Sequence, residues 1–178
     1  MLNREKNRRV NKNLNNYFAI LEKKQKPRFK RELKLLEKNI AKAKDVLKSC
    51  RLCERRCRVD RTHGEFGYCR VADKMVVSSI FPHLGEEYFL VPSLTIFFIS
   101  CTFRCEFCQN STISQRKEKG EIFMPERLAK MIDDNNQCKN INFVGGEPTP
   151  YLPMILESLR HVQSDMPVVW NSNFYMSR

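Results

Sequence analysis

The chain has 178 residues, 42% hydrophobic and 29% charged, with eight cysteines and a formal net charge of +12. That length suits one ordinary domain with an extension, and no apolar run approaches the ~20 residues needed to cross a bilayer. The start, Met1-Leu-Asn-Arg-Glu-Lys-Asn-Arg-Arg, has no apolar stretch of the secretory kind, so a cytoplasmic protein without membrane contact is expected, in which eight cysteines favour metal over disulfide.

Charge is uneven along the chain. Residues 1–60 carry 20 Lys and Arg against 7 Asp and Glu, and the remainder carries 12 against 13. A basic arm of this kind can attract nucleic acid or another polyanion. A solvated helical face is the plainer reading, since no aromatic residues interleave with the charges.

Residues 1–26 are polar and Asn-rich, with an apolar patch at Tyr17, Phe18, Ile20 and Leu21, and read as a frayed or partly helical extension interrupted by Pro27. From Arg28 to Lys48 the repeat of Leu33, Leu36, Ile40, Ala43 and Leu47 predicts one amphipathic helix packed on the domain C-terminal to it. Residues 1–48 form a basic helical extension. Residues 49–92 form a cysteine-rich module with a short hairpin. It holds Cys50, Cys53, Cys57 and Cys69 at C-x2-C-x3-C-x11-C spacing. Four soft thiolates within this span suit structural zinc or an iron–sulfur cluster. Arg51, Arg55, Arg56 and Arg58 favour their ionised form, and His63 could replace one of them as a ligand. Met75–Phe81 and Glu87–Val91 read as two short strands around Pro82 and Gly85. His83, Glu86 and Glu87 then lie at a solvated tip within reach of a neighbouring site.

Residues 93–178 change character. Leu94–Ser100 reads as a buried strand and leads into Cys101-Thr-Phe-Arg-Cys105-Glu-Phe-Cys108. Fe–S clusters usually take four cysteines, so three on one loop leave an iron open for chemistry. Gln109–Phe123 reads as a covering loop. A helix over Pro125–Asp134 starts with proline in its first turn, and Cys138 reads as a structural thiol. Strand Ile141–Val144 runs into Gly145-Gly146-Glu147-Pro148. Glycines there let backbone approach a ligand closely, and Glu147 offers a charge-assisted bond to an ammonium group. A helix over Leu152–Gln163 and a strand Val168–Trp170, ending at Asn171-Ser172-Asn173, complete a strand–helix–strand–helix–strand order. That order predicts an α/β fold of parallel βαβαβ units, with the cysteine loop, GGEP, Asn171 and Asn173 at the carboxyl ends of the strands, where ligands bind.

The C-x3-C-x2-C loop followed one strand later by GGEP resembles the radical S-adenosylmethionine (SAM) superfamily. The stretches Cys50–Cys69, Gly64-Glu-Phe-Gly-Tyr-Cys69 and His83-Leu-Gly-Glu-Glu87 make it most similar to the branch of pyruvate formate-lyase activating enzymes. The resemblance implies a partial TIM-like barrel and an oxidoreductase. Cys101, Cys105 and Cys108 would hold a [4Fe–4S] cluster, and SAM would chelate its open iron. Gly145, Gly146 and Glu147 would meet the SAM amino end. Phe107 would lie near the adenine, and Asn173 would make a polar contact. One electron from a flavodoxin- or ferredoxin-type donor would cleave SAM to methionine and a 5′-deoxyadenosyl radical, which would take hydrogen from a substrate, by analogy a glycine of a partner enzyme. The family's barrel has more strand–helix units than this βαβαβ, so a truncated or split form is expected, with impaired activity unless a complementing C-terminal half chain supplies the rest. The alternative is a non-catalytic zinc or Fe–S module whose basic arm binds nucleic acid.

Overall fold

The computed structural model describes residues 14–115 and 119–177. The most basic part of the extension, residues 1–13, lies outside the described residues. Five strands, β1 (Met75–His83), β2 (Ser93–Phe98), β3 (Glu121–Phe123), β4 (Asn140–Gly145) and β5 (Val168–Trp170), form one sheet in the order β3-β1-β2-β4-β5. β2, β4 and β5 are parallel, as the βαβαβ pattern predicts, whereas β1 and β3 add antiparallel. The result is a mixed open sheet rather than a closed barrel.

β2 and β4 are central, so both their faces are covered and they read as almost unbroken buried runs. Leu94, Ile96 and Phe98 of β2 stand beside Ile141 and Phe143 of β4 in the paired register. Leu128 and Ile132 of α5 (Pro125–Asp134) and Ile155 and Leu159 of α6 (Leu152–His161) join the same core. Pro at the first turn of both helices fits a position whose N–H has no partner in the helix.

Four elements depart from the sequence expectations. Glu87–Val91 is a turn, closed by Leu90 N–H to Glu87 O at 2.7 Å, and not a strand. The partner of β1 is β2 itself, because the long β2 offers a full edge that the five-residue segment cannot match. β1 continues through Pro82 to His83, where β3 no longer covers its outer side, so the missing N–H of proline breaks no ladder there. Gln109–Phe123 contains a short helix, α4 (Ser111–Ser114), and β3. Pairing to the free edge of β1 makes Glu121–Phe123 a strand without an alternating pattern of its own. The helix expected over Arg28–Lys48 divides at Glu32 (φ −117°, ψ 51°) into α2 (Arg28–Arg31) and α3 (Leu33–Val46), with a 3-10 turn over Leu47–Ser49. Leu36, Ile40, Ala43 and Leu47 of the predicted stripe are buried, but Leu33 is exposed.

The first helix, α1 (Asn15–Leu21), is docked rather than frayed. Its buried Tyr17 donates to Phe89 O at 3.3 Å and accepts from Asn140 Nδ2 at 3.0 Å. Asn140 also donates to Leu90 O and accepts from Ser93 Oγ. These bonds close the amino ends of β2 and β4 and leave the carboxyl ends for the site. Lys44–Glu157 at 2.8 Å joins α3 to α6 on the outside. Tyr17→Phe should lower unfolding free energy by about 1 kcal/mol through the lost hydroxyl bonds, read as a shift of the urea midpoint at unchanged slope. An undocked helix would show no shift.

Candidate functional site

The site grows from the end of β2. Ile99 N–H bonds to Val76 O, Tyr151 OH to Ile99 O at 2.9 Å, and Ser100 N–H to Ile113 O at 2.8 Å, so β1, α4 and the turn after GGEP all grip the root of the cysteine loop. Ser100 sits at φ 75°, a backbone state unusual for serine, which turns the chain sharply into Cys101.

GGEP ends β4 alongside this root. Gly145 has φ 112°, and a Cβ there would stand 2.1 Å from Phe98 N; at Gly146 it would stand 1.8 Å from Ser100 O. The close approach expected of these glycines is therefore made to the protein's own β2. Glu147 is 1% exposed. Its Oε1 accepts from Thr149 N (3.1 Å), Thr149 Oγ1 (2.5 Å) and Ser172 Oγ (2.6 Å), and its Oε2 accepts from Asn173 N (2.9 Å). Sequence alone assigns this carboxylate to a ligand's ammonium group; the structure gives it four protein donors. It braces the chain after β5 against the end of β4.

Asn173 carries the brace to the cysteines. Its Nδ2 donates to Thr102 Oγ1 at 2.9 Å and approaches Cys101 Sγ at 3.7 Å. Phe103 N–H also points to Cys101 Sγ at 3.3 Å, and Ser114 Oγ lies 3.3 Å from Cys108 Sγ. Burial raises the Cys101 thiol above its usual value; the Phe103 amide opposes this, and the charges of Glu147, Cys105 and Cys108 add to it. The three sequence-predicted thiols thus share one neighbourhood with Glu147. Phe107 is 88% exposed on the same loop. Asn171 follows β5 directly, where its N–H bonds to Phe143 O.

Cys50, Cys53, Cys57 and Cys69 also come together. Burial raises Cys53, with the charges of Cys69, Cys50 and Cys57 acting on it. Burial likewise raises Cys69, opposed by Arg61. A Cβ on Gly67 would touch Cys57 Cβ and Sγ at 3.0 Å, so only glycine leaves the sulfur this room. His63 is not among them. Its Nδ1 lies 2.8 Å from Asp60 Oδ2 and its ring is solvated. Cys138 is buried in the hydrophobic core. All eight cysteines are free thiols, and among the described residues no three His, Cys, Asp or Glu side chains converge closely enough to hold a metal ion.

Two features have no signal in the sequence. Arg61, 1% exposed, donates to Ala72 O and Pro150 O, and its Nη1 lies 3.8 Å from Cys50 Sγ. Among the described residues it has no carboxylate partner, although a buried charge is costly unless compensated. The second is a stack between the cysteine groups. Arg55 lies 3.8 Å and Arg104 4.8 Å from the ring centre of Tyr68, while Arg55 also donates to Thr102 O and Arg104 to Tyr68 O. Arginines are too common on surfaces for either to stand out by type.

On the sheet face turned away from the core helices, Asn142 is buried and donates to Glu86 Oε1 at 3.2 Å, and His83 Nδ1 lies 3.5 Å from the same oxygen. His83 and Glu86 therefore close over the sheet rather than ending a solvated tip. A cavity of about 540 Å³ lies elsewhere, between α1–α3 and α6–β5, and is lined by apolar side chains such as Phe29, Leu36 and Trp170. It contains none of the sequence-predicted site residues.

Residues 95–177 match the family model of the Radical SAM superfamily. The match begins within β2 and covers the cysteine loop, GGEP and Asn173. A relative, an uncharacterized protein of Methanocaldococcus jannaschii, is 45% identical over 150 residues, which cover 80% of this chain and 44% of the relative. The chain thus spans less than half the length of that relative. No solved structure matches it. Among the described residues no helix is long and apolar enough to cross a membrane.

Two outcomes test the geometry. Glu147→Gln keeps the shape but turns an NH₂ towards donors, and should destabilise the ligand-free protein by about 2 kcal/mol; a carboxylate serving only a ligand would leave the denaturation midpoint unchanged. The Asp60 carboxyl is held down to about 2, mainly by the Thr62 hydroxyl and then by His63. A depressed value means that its contribution is complete above the ordinary value of 3.8 and is lost as pH falls through about 2. A carboxyl NMR titration of Asp60 should show its midpoint near 2.

Proposed function

We propose that this chain is the cluster-bearing part of a radical SAM enzyme. The observation that carries the proposal is the placement of three free thiols on one loop at the carboxyl end of β2, braced by Asn173 and Glu147 at the ends of β5 and β4. The match to the superfamily over residues 95–177 supports it. Cys101, Cys105 and Cys108 would hold a [4Fe–4S] cluster. The donor set fits: N–H groups already point at Cys101 Sγ, and hydrogen bonds to cluster sulfurs tune such centres. When bound, cluster and SAM supply reductive cleavage of the sulfonium C–S bond to methionine and a 5′-deoxyadenosyl radical.

The chain's own residues orient and shield. Gly145 and Gly146 bring β4 backbone against the root of the loop, so that carbonyls at this strand end can receive the SAM ammonium group. Glu147 holds that end rigid and adds its charge. Asn173 ties Cys101 to Glu147 and stands next to any ligand on the loop. Phe107, exposed beside Cys108, can cover an adenine ring. Asn142, Glu86 and His83 line the sheet face across which a substrate would lie.

Cys50, Cys53, Cys57 and Cys69 are proposed to bind a second metal, zinc or an Fe–S cluster. Arg61 favours this: metal-bound thiolates would supply the negative charge that its burial demands. Residues 14–48 then act as a packed helical extension of the cysteine-rich module and the radical SAM segment from 93 onward. The likeness to pyruvate formate-lyase activating enzymes supports a glycine in a partner protein as hydrogen donor, a flavodoxin- or ferredoxin-type reductant, and further barrel strands from elsewhere. Fold likeness does not choose the substrate. The other reading, a non-catalytic metal module with a nucleic-acid-binding arm, has no observation in its favour beyond charge.

Anaerobic reconstitution should load about four irons at the triplet beyond any metal at the second group, and dithionite with SAM should release 5′-deoxyadenosine. Cys105→Ala should lose both while keeping the metal at Cys50–Cys69. A Cys105→Ala protein that still cleaves SAM overturns the ligand assignment, and a loaded wild type whose cluster spectrum ignores SAM overturns the function.

A further inference from the structure

The cysteine-rich segment carries a second feature on its outer side. Arg51, Arg56 and Arg58 surround a hollow of about 340 Å³ with Ser49 and Ser177. That lining consists of guanidinium and hydroxyl groups, with no carboxylate among the described residues. Like charges that share one hollow repel each other. Arg56 has an anionic neighbour, Glu54 at 2.8 Å, but Arg51 and Arg58 have no ion-pair partner among the described residues.

The backbone holds this arrangement in place. Arg58 N–H bonds to Cys50 O and Cys50 N–H to Val59 O, both at 2.9 Å, so the loop doubles back and brings Arg51 beside Arg58. Arg56 N–H bonds to Cys53 O at 2.9 Å. Ser177 fixes the other wall through its N–H to Leu52 O and its hydroxyl to Arg51 O. Arg56 and Arg58 both have left-handed backbone, φ 44° and 59°. Such strain on non-glycine residues persists where surrounding structure enforces it and gathers at ligand clamps.

We propose that this hollow is an oxyanion site that takes the phosphate of a small phosphorylated ligand. Guanidinium forks match phosphate oxygens two at a time. With Arg56 paired to Glu54, Arg51 and Arg58 still leave about two positive charges, more than a single carboxylate would need. The volume is at the lower end for small-molecule sites and suits a phosphate or diphosphate with a small attached group. The hollow is half open and its arginines are exposed, but it is bounded by five residues only, which suits a single phosphate group better than a nucleic-acid strand, which would need a continuous groove. The site is separate from the thiols of Cys101–Cys108 and stands whether or not SAM binds there.

Calorimetric titration of the full chain with pyrophosphate at constant ionic strength tests this. One saturable site is expected. Arg51→Gln and Arg58→Gln should each weaken it about tenfold or more. Arg58→Gly should weaken it equally while relieving the left-handed backbone, so the loss cannot be put down to misfolding when circular dichroism is unchanged. Arg127→Gln, which removes a cation paired with Glu121 outside the hollow, should leave binding unaltered. The proposal is overturned by absence of saturable binding into the millimolar range, or by binding that survives Arg58→Gly. It is equally overturned if a single-stranded RNA displaces pyrophosphate as well without its 5′ phosphate as with it.

Discussion

A buried carboxylate with four donors around it organises this molecule. Glu147 accepts from Thr149 twice, from Ser172 and from Asn173. A charge taken out of water is tolerated only when such bonds replace its hydration. Here they draw the chain after β5 across the end of β4 and place the Asn173 amide on the cysteine loop. The contact needs β4 to lie directly against the end of β2, and Gly145 and Gly146 permit it, since any Cβ would collide with Phe98 or Ser100. Loop, brace and strand ends therefore stand or fall together.

The two groups of cysteines are parts of one assembly. Arg61 reaches from the Cys50 sulfur to the carbonyl of Pro150 in the turn after GGEP. Arg55 and Arg104 meet over Tyr68 and bond to backbone on either side. The chain end returns as well, with Cys53 bridged to Met176. Each contact is modest alone; a cation over an exposed ring contributes about 0.5–1 kcal/mol. Together they fix the position of one thiol group relative to the other, which bears on how charge placed at either is felt by its neighbour.

Much of the segment from residue 93 onward could be read in advance because its signals are local. A short apolar run such as Leu94–Ile99, followed at once by a turn, reads as a buried strand, and Gly-Gly before Glu-Pro suits a place where backbones approach closely. The thiol spacing placed three donors on one loop without reference to any other segment. The expectations that failed were those decided by a partner. Glu87–Val91 has a strand's composition, but β2 took the edge of β1. Glu121–Phe123 is too short to announce a strand, yet the free edge of β1 made it one. Tyr17 in a polar arm is docked because Asn140 and Phe89 offer its hydroxyl two bonds.

The order of letters alone therefore determined the local arrangement: which sulfurs share a loop, which strand precedes them, and which glycines come one strand later. These depend on covalent spacing and on hydrophobic periodicity, and both are written along the chain. Only the folded molecule decided that Glu147 braces protein, that Arg61 lies buried against a thiol, and that three arginines share one hollow. Each depends on a contact from far along the chain, Ser172 and Asn173 on Glu147, Pro150 on Arg61 and Ser177 on Arg51, made when the apolar strands pair and their polar ends must find new partners for the water they have lost.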